Sequence, residues 1–275
     1  VTDHGATPER EPVEIDRSAA HPARVYDRWL GGTNNFAVDR EAADRAAAAN
    51  PQVVPAVRAN RAFLGRAVRY LTGDRGIRQF LDIGTGIPTK NNTHGVAQGV
   101  APDSRIVYVD NDPIVLAHAR KLLKGSPEGV TAYISGDLHD PGKILQEAAR
   151  TLDFTEPVAV MLVAVLQYIS DDRDPYGIVA QLLEAAAPGS ALVVSHPASD
   201  IGAEKVSASM QRYNEKAAVH ATPRTHQQIV GFFDGTDLLE PGVVQLPQWP
   251  GGESEPDAPP LPMWCGVGHK PNGGR

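Results

Sequence analysis

From Gly76 onward, short continuous apolar runs alternate with amphipathic segments, and this rhythm restricts the fold more than any other feature of the chain. The runs are "RQFLDI", "RIVYVD", "VTAYIS", "PVAVMLVAVL" and "SALVVSH". They do not alternate apolar with polar residues, so they suit strands of a parallel sheet covered by helices on both faces. Helical spacing falls between them, at about 92–100, 113–124, 140–151, 174–187 and 203–218. In "DNDPIVLAHARKLL" Asp112 suits an N-cap and Pro113 the first helical position, while Val115, Ala119, Leu122 and Leu123 share one face. "GVVQL" and "MWCGVGHK" read as two late strands, split by the Pro/Gly-rich "PQWPGGESEPDAPPLP". The expectation is a doubly wound, mostly parallel α/β sheet of seven strands.

Three helices precede that sheet. Val25, Tyr26, Trp29 and Leu30 form an apolar stripe that Gly31 and Gly32 stop. "AVDREAADRAAAAN" and "PAVRANRAFLGRAVRYL" follow. The chain therefore divides into a charged arm over 1–17, an N-terminal helical cap or lid over 18–75, and a ligand-binding α/β domain over 76–275. Its 275 residues can bury a substantial core, and a net charge of −7 without a Lys/Arg run argues against nucleic acid as a partner. A single cysteine, Cys265, fits a reducing compartment. No apolar run approaches the roughly 20 residues of a membrane helix, and the polar N-terminus is unlike a secretion signal. A cytoplasmic protein with no membrane partner is expected.

The first strand ends in "FLDIGTGIPT". In an open parallel sheet ligands bind beyond the carboxyl ends of the strands. Gly84 and Gly86 let the backbone turn and approach a ligand without a Cβ in the way. A pyrophosphate loop would use a third glycine where this chain has Thr89, and Pro88 removes an amide donor nearby. The loop therefore suits an adenosine ligand lacking pyrophosphate better than NAD. Asp82 ends the first strand. Asp110, followed by Asn111, ends the second, where a carboxylate can accept both ribose hydroxyls. Asp137, followed by Leu138, lies after the third, in reach of an adenine amino group; Val163 lies near the end of the fourth. No H-E-x-x-H pair occurs among the nine histidines, so no metal site is expected.

This arrangement resembles the class I S-adenosylmethionine-dependent methyltransferases, with D-x-G-x-G after strand one and acidic residues after strands two and three. It is closer still to an S-adenosyl methyltransferase family first catalogued as a domain of unknown function. The resemblance is carried by "HPARVYDRWLGGTNNFAVDREAAD" (21–44), "RANRAFLGRAVRYL" (58–71), "GIRQFLDIGTGIPT" (76–89), "VAQGVAPDSRIVYVDNDPIVLAHARKLL" (96–123) and "DDRDPYGIVAQLLEAAAPGSALVVSH" (171–196). It implies a Rossmann-like methyltransferase sheet, S-adenosyl-L-methionine as cofactor and a small-molecule methyl acceptor. Tyr26 and Trp29 either pack the first helix against the domain or belong to a lid in which "GGTNNF", with Asn34, supplies donors over the cofactor carboxylate or the acceptor; Arg24, Arg58 or Arg61 either pairs with that carboxylate or is an ordinary surface arginine. The chain departs from the family pattern at Thr33 and Asn34 (Lys-Asp), at Gly95 (Glu) and at Gln167 (His). Gln167, just past the apolar run 158–166, is expected to reach the cleft beside the methyl group. There it could orient an acceptor without taking its proton. Tyr168, His139 and His196 are the candidates for a base, needed only if the acceptor must lose a proton. Two rival readings remain: an NAD-dependent oxidoreductase, and a non-catalytic S-adenosylmethionine-binding regulator.

Overall fold

A computed structural model describes residues 16–89, 91–122, 125–252 and 258–272. Most of the expected arm, and Leu123, lie outside the described residues. Three helices come first: α1 (Pro22–Trp29), α2 (Ala37–Ala49) and α3 (Val53–Gly73). Alternation follows, with β1 (Gln79–Ile83), α4 (Thr93–Val100), β2 (Arg105–Asp110), α5 (Pro113–Leu122), β3 (Val130–Ser135) and α6 (Pro141–Ala148). It continues through β4 (Val158–Val163), α7 (Pro175–Ala185), β5 (Ala191–Pro197), α8 (Ala203–Asn214) and α9 (His226–Val230). The chain closes with β6 (Asp237–Leu238), β7 (Val244–Gln245) and β8 (Met263–His269).

The strands lie in the order β3-β2-β1-β4-β5-β8-β6, with β7 also paired to β8. β1 to β5 are parallel, and β8 runs antiparallel to β5. The sheet is the doubly wound, mostly parallel one expected. The two-residue β6 is an eighth strand that the sequence pattern did not reveal. Strand order reverses between β1 and β4, so their carboxyl ends border the crevice where such sheets bind ligands.

Successive residues of each strand enter opposite layers. Leu81, Val107, Val160 and Leu192 pack with Ile144 of α6 and Leu182 of α7. Phe80, Ile106, Met161 and Val193 pack with Phe63 and Leu71 of α3 and Ala97 of α4. Both faces are therefore buried, which is why the strand sequences are continuously apolar. A third cluster joins Val25 of α1, Ala42, Ala43 and Ala46 of α2, and Tyr213 of α8. Packing thus divides residues 18–75: α3 covers the sheet, while α1 and α2 take α8 as their third partner. Alanines on α2 let α8 approach closely enough for Ser209 Oγ to donate to the Ala46 carbonyl at 2.9 Å. Among the described residues no helix is long and apolar enough to cross a membrane.

Candidate functional site

The turn after β1 is tied to β2, because Gly84 N and Thr85 N both donate to the Val109 carbonyl, at 2.8 and 3.3 Å. The two glycines do different work. Gly84 has φ +73°, and a Cβ there would lie 2.4 Å from Val165 Cγ2, so it admits close packing of the β4 turn. Gly86 has φ +66° with open space where a Cβ would stand, so it keeps a surface clear. Its amide donates to Asp110 Oδ2 at 2.8 Å. Asp82, at the end of β1, is buried and accepts from Thr93 Oγ1 at 2.6 Å. Burial pushes its pKa up to about 6, against the opposing pull of Thr93 and Arg61.

Asp110 sits at the equivalent end of β2. Its Oδ1 accepts from Asp112 N at 2.9 Å, so each oxygen holds one amide and keeps a lone pair for another donor. Burial pushes this carboxyl up to about 6 too, although its backbone hydrogen bonds favour the charged form. Asp112 caps α5 as expected, accepting from Ile114 N at 2.9 Å. It also forms a buried ion pair with Arg24, Nε to Oδ2 at 3.1 Å, which fastens α1 to the β2 end.

Between these groups and α1 lies a cavity of about 210 Å³. Asp82, Gly84, Gly86, Asp110 and Asn111 line one side. Asp137, Leu138, Val163, Tyr168 and Tyr26 line the rest, so the structure brings ten of the twelve sequence-selected residues together. Asn34 and Gln167 are not among them. The loop after α1 folds inward around Asp27, whose Oδ2 accepts from Asn34 N at 2.9 Å and from Asn35 Nδ2 at 2.8 Å. A Cβ at Gly32 would collide with that carboxylate, so the "GG" pair serves the loop itself. Asn34 is therefore held at the loop and not over the cavity.

Gln167 departs for another reason. β4 ends at Val163 because Ala164 adopts φ +55°, a conformation an alanine rarely takes, and residues 166–168 form a short tight helical turn. The apolar run expected to be strand through 166 thus ends three residues earlier. Gln167 Nε2 donates back to the Ala164 carbonyl at 2.8 Å, while its Oε1 is buried without a partner. Arg224 pins the same turn from beneath: it is fully buried and donates to the carbonyls of Leu166 and Ile169 and to Asp171 Oδ1, at 3.0, 2.7 and 2.7 Å.

His196 belongs to this support and not to the cavity. Its Nδ1 lies 2.9 Å from the Pro197 carbonyl and its Nε2 2.9 Å from Arg224 Nη1, so Nδ1 carries the proton and Nε2 accepts. Burial pushes its pKa down to about 3. His139 lines the cavity mouth beside Asp137, 2.7 Å from Nδ1 to Oδ1. It stands beyond β3, three strand spacings or about 14 Å from β4, too far to serve a group held there.

Of the three arginines considered, Arg24 is committed to Asp112 and Arg58 is exposed. Arg61 lines the cavity: Nη2 donates to Asn92 Oδ1 at 3.1 Å, and Nε is buried without a partner. The sequence reading missed Asn60, which also lines it. Asn60 Nδ2 donates to the Tyr26 hydroxyl at 2.9 Å and its Oδ1 accepts from Ser195 Oγ at 2.6 Å, linking α1, α3 and β5. A lone amide on the apolar stripe of Ala56, Phe63 and Ala67 was the available signal. Among the described residues no three His, Cys, Asp or Glu side chains converge as a metal site would require.

A family model described as S-adenosyl methyltransferase matches residues 8–271. A protein of the DUF574 family from Streptomyces avermitilis MA-4680 is 41% identical, with a TM-score of 0.90 over 94% of this chain and 100% of that one. A candidate methyltransferase from Thermobifida fusca YX is 39% identical, with a TM-score of 0.86 over 93% and 97%. An O-methyltransferase family protein from Burkholderia thailandensis, 16% identical, shares the fold at a TM-score of 0.52 over 86% of this chain and 62% of that one. No functionally curated protein matches the sequence.

Proposed function

We propose that this chain, which belongs to the S-adenosyl methyltransferase family and is an S-adenosylmethionine-dependent methyltransferase, methylates a small-molecule acceptor at the cavity beyond β1, β2 and β4. The arrangement at Asp110 carries the assignment of the cofactor residues. A buried carboxylate at the end of β2, with a free lone pair on each oxygen, suits the two hydroxyls of an adenosine ribose. The open face of Gly86 lets the ligand lie against the backbone. Arg61, with its buried unpaired Nε, suits the carboxylate at the other end of the molecule. Asp137 and Leu138 take the adenine end, Asn111 flanks the ribose, and Val163 and Tyr26 close the remaining walls. A dinucleotide fits worse, because Pro88 offers no amide to its phosphates and Thr89 stands where the third glycine of a pyrophosphate loop would be.

When bound, S-adenosylmethionine supplies a methyl group on a sulfonium that leaves as a neutral thioether. The chain's own task is then alignment, which can contribute up to about 7–11 kcal/mol. α1 and the turn at 164–168 exclude water and hold the acceptor in line. Neither Gln167 nor Tyr168 removes a proton: the first is a neutral amide, and burial pushes the second up to about 12. The same reading places the protein in the cytoplasm and gives it no nucleic-acid or membrane partner, in keeping with its acidic balance and single cysteine.

Calorimetry with S-adenosylmethionine, its demethylated product and NAD tests the cofactor site. Binding of the first two and not the third is expected. Tight NAD binding would overturn it. Transfer of isotope-labelled methyl into a pool of small metabolites, read by mass spectrometry, tests the acceptor class; label appearing only in protein or nucleic acid would refute it.

A further inference from the structure

A second cavity, of about 70 Å³, lies behind the first. Tyr26, Ala164 and Tyr168 line both, so the two cavities adjoin at these residues. The rest of its lining comes from the turn after β4, the cap helices, α8 and the ends of β5 and β8, including Gln167, Trp29, Val53, Met210, Tyr213 and Met263. It has a third of the volume of the cavity assigned to the cofactor, which scales to one six-membered ring with a substituent. Aromatic rings supply much of the wall, which suits a planar apolar guest.

Two polar groups in this wall have no partner. Gln167 Oε1 and the Tyr213 hydroxyl are both buried and complete no hydrogen bond. The Tyr168 hydroxyl is close enough to bear on the ionisation of Tyr213, and Gln167 bears on that of Tyr168, but the geometry satisfies neither orphan. A buried polar group without a partner is costly and is kept where a ligand completes it. Among the described residues no carboxylate, imidazole, ammonium or guanidinium lines the cavity. An ammonium would therefore enter without a counter-charge, and a hydroxyl would find no base.

We propose that this second cavity is the acceptor pocket and that it takes a neutral primary amine on a single aromatic ring, its two N–H groups held by Gln167 Oε1 and the Tyr213 oxygen. The inference rests on the methyltransferase reading of the first cavity and names the substrate class of that enzyme. With both N–H groups held, the nitrogen lone pair is left free for the methyl group at the side where the two cavities adjoin. The nitrogen lone pair forms the new N–CH₃ bond as the S–CH₃ bond breaks, and that bonding pair stays on sulfur. The nitrogen, now positively charged, releases one proton to water, so no protein base is required before attack. A phenol would need its proton removed, and an alkylamine, protonated at neutral pH, has no lone pair to offer.

The test is calorimetric titration of aniline, toluene, phenol and benzylamine into the protein saturated with S-adenosylhomocysteine. Aniline is expected to bind at least tenfold more tightly than toluene and than protonated benzylamine. Phenol should fall between aniline and toluene, because it offers one donor instead of two. Tyr213→Phe and Gln167→Leu should each weaken aniline severalfold and leave toluene unchanged. Tyr213→Phe also removes an unpaired buried hydroxyl, so its thermal midpoint should not fall, and it keeps the test valid if Gln167→Leu folds poorly. Equal affinity for aniline and toluene, or benzylamine binding as tightly as aniline, would overturn the proposal. Failure of S-adenosylhomocysteine itself to bind would instead overturn the reading of the first cavity.

Discussion

Asp110→Asn separates two roles that one carboxylate combines. In the wild type Asp110 holds the amides of Gly86 and Asp112 and is raised by burial from an ordinary value of 3.8 to about 6. That rise of about 2 units, at 1.36 kcal/mol each, means the ionised group opposes folding by roughly 3 kcal/mol at pH 7. The folded state holds its proton between pH 3.8 and about 6 while the unfolded state does not. The contribution is therefore fully favourable below 3.8 and is lost as pH rises through 6. Asparagine does not titrate, so the stability of the variant relative to wild type should improve by about 3 kcal/mol between pH 3.5 and pH 7. It pays at every pH for an amide NH₂ that meets a backbone N–H, about 1–3 kcal/mol. Near pH 7 the two forms should then unfold at similar denaturant concentrations, whereas at pH 4 the variant should be clearly weaker. Cofactor affinity should behave differently. Charged hydrogen bonds to two ribose hydroxyls contribute about 1.5–3 kcal/mol each, so losing the charge should weaken S-adenosylmethionine by tenfold to several hundredfold at pH 7.5. Denaturant melts at the two pH values and calorimetry at the higher one measure both effects. A stability difference that ignores pH would refute the buried-charge argument, and unchanged affinity in the folded variant would remove Asp110 from the ribose.

Arg61→Leu should weaken S-adenosylmethionine about tenfold or more and leave 5′-methylthioadenosine, which lacks the carboxylate, unaffected; equal losses for both ligands in calorimetry would assign Arg61 to structure. Gln167→His places an imidazole at the acceptor pocket: an aromatic amine should gain nothing from it, whereas a hydroxyl acceptor would gain about 10²–10⁴-fold in single-turnover methyl transfer. A faster aniline reaction in the histidine form would show that the wild type lacks a base it needs. Arg224→Met leaves the Leu166 and Ile169 carbonyls and His196 Nε2 without their donor, so stability should drop by about 3–5 kcal/mol in denaturant melts; a drop under 1 kcal/mol would mean water replaces the guanidinium.

How far the sequence could be read depended on whether a position is set by its own strand or by distant contacts. Asp82, Gly84, Gly86 and Asp110 were legible because a strand end and the turn after it are local, and a parallel sheet places every such end on one rim. Ala164 to Gln167 were not. A buried strand and a buried turn are equally apolar, so "VAVMLVAVL" gives no sign that the backbone reverses at Ala164. A glycine there would have signalled it. Asn34 was misplaced because its loop folds onto Asp27, seven residues back. The Arg224–His196 contact joins residues 28 apart on different elements, and no periodicity reports such a pair.

The same distinction explains why the cap looked like an N-terminal appendage. Its third helix, α8, follows β5 in the chain yet shares a core with α1 and α2 through Tyr213, Ala43 and Ala46. Periodicity identifies each helix but not its partner, and the alanines of α2 read as helix formers before they read as a seat for α8. That partnership has a chemical consequence. The first cavity is built mainly from the strand ends and α1, which the loop motifs announce, with Asn60 and Arg61 of α3 added to them. The second needs Trp29 from α1, Val53 from α3, Met210 and Tyr213 from α8, and Gln167 from the turn after β4, assembled from segments more than 180 residues apart. The cofactor side of this enzyme is therefore written in short motifs. The acceptor side exists only in the packing of the cap on the sheet, and substitutions in α8, far from any motif, are where a change of acceptor would arise.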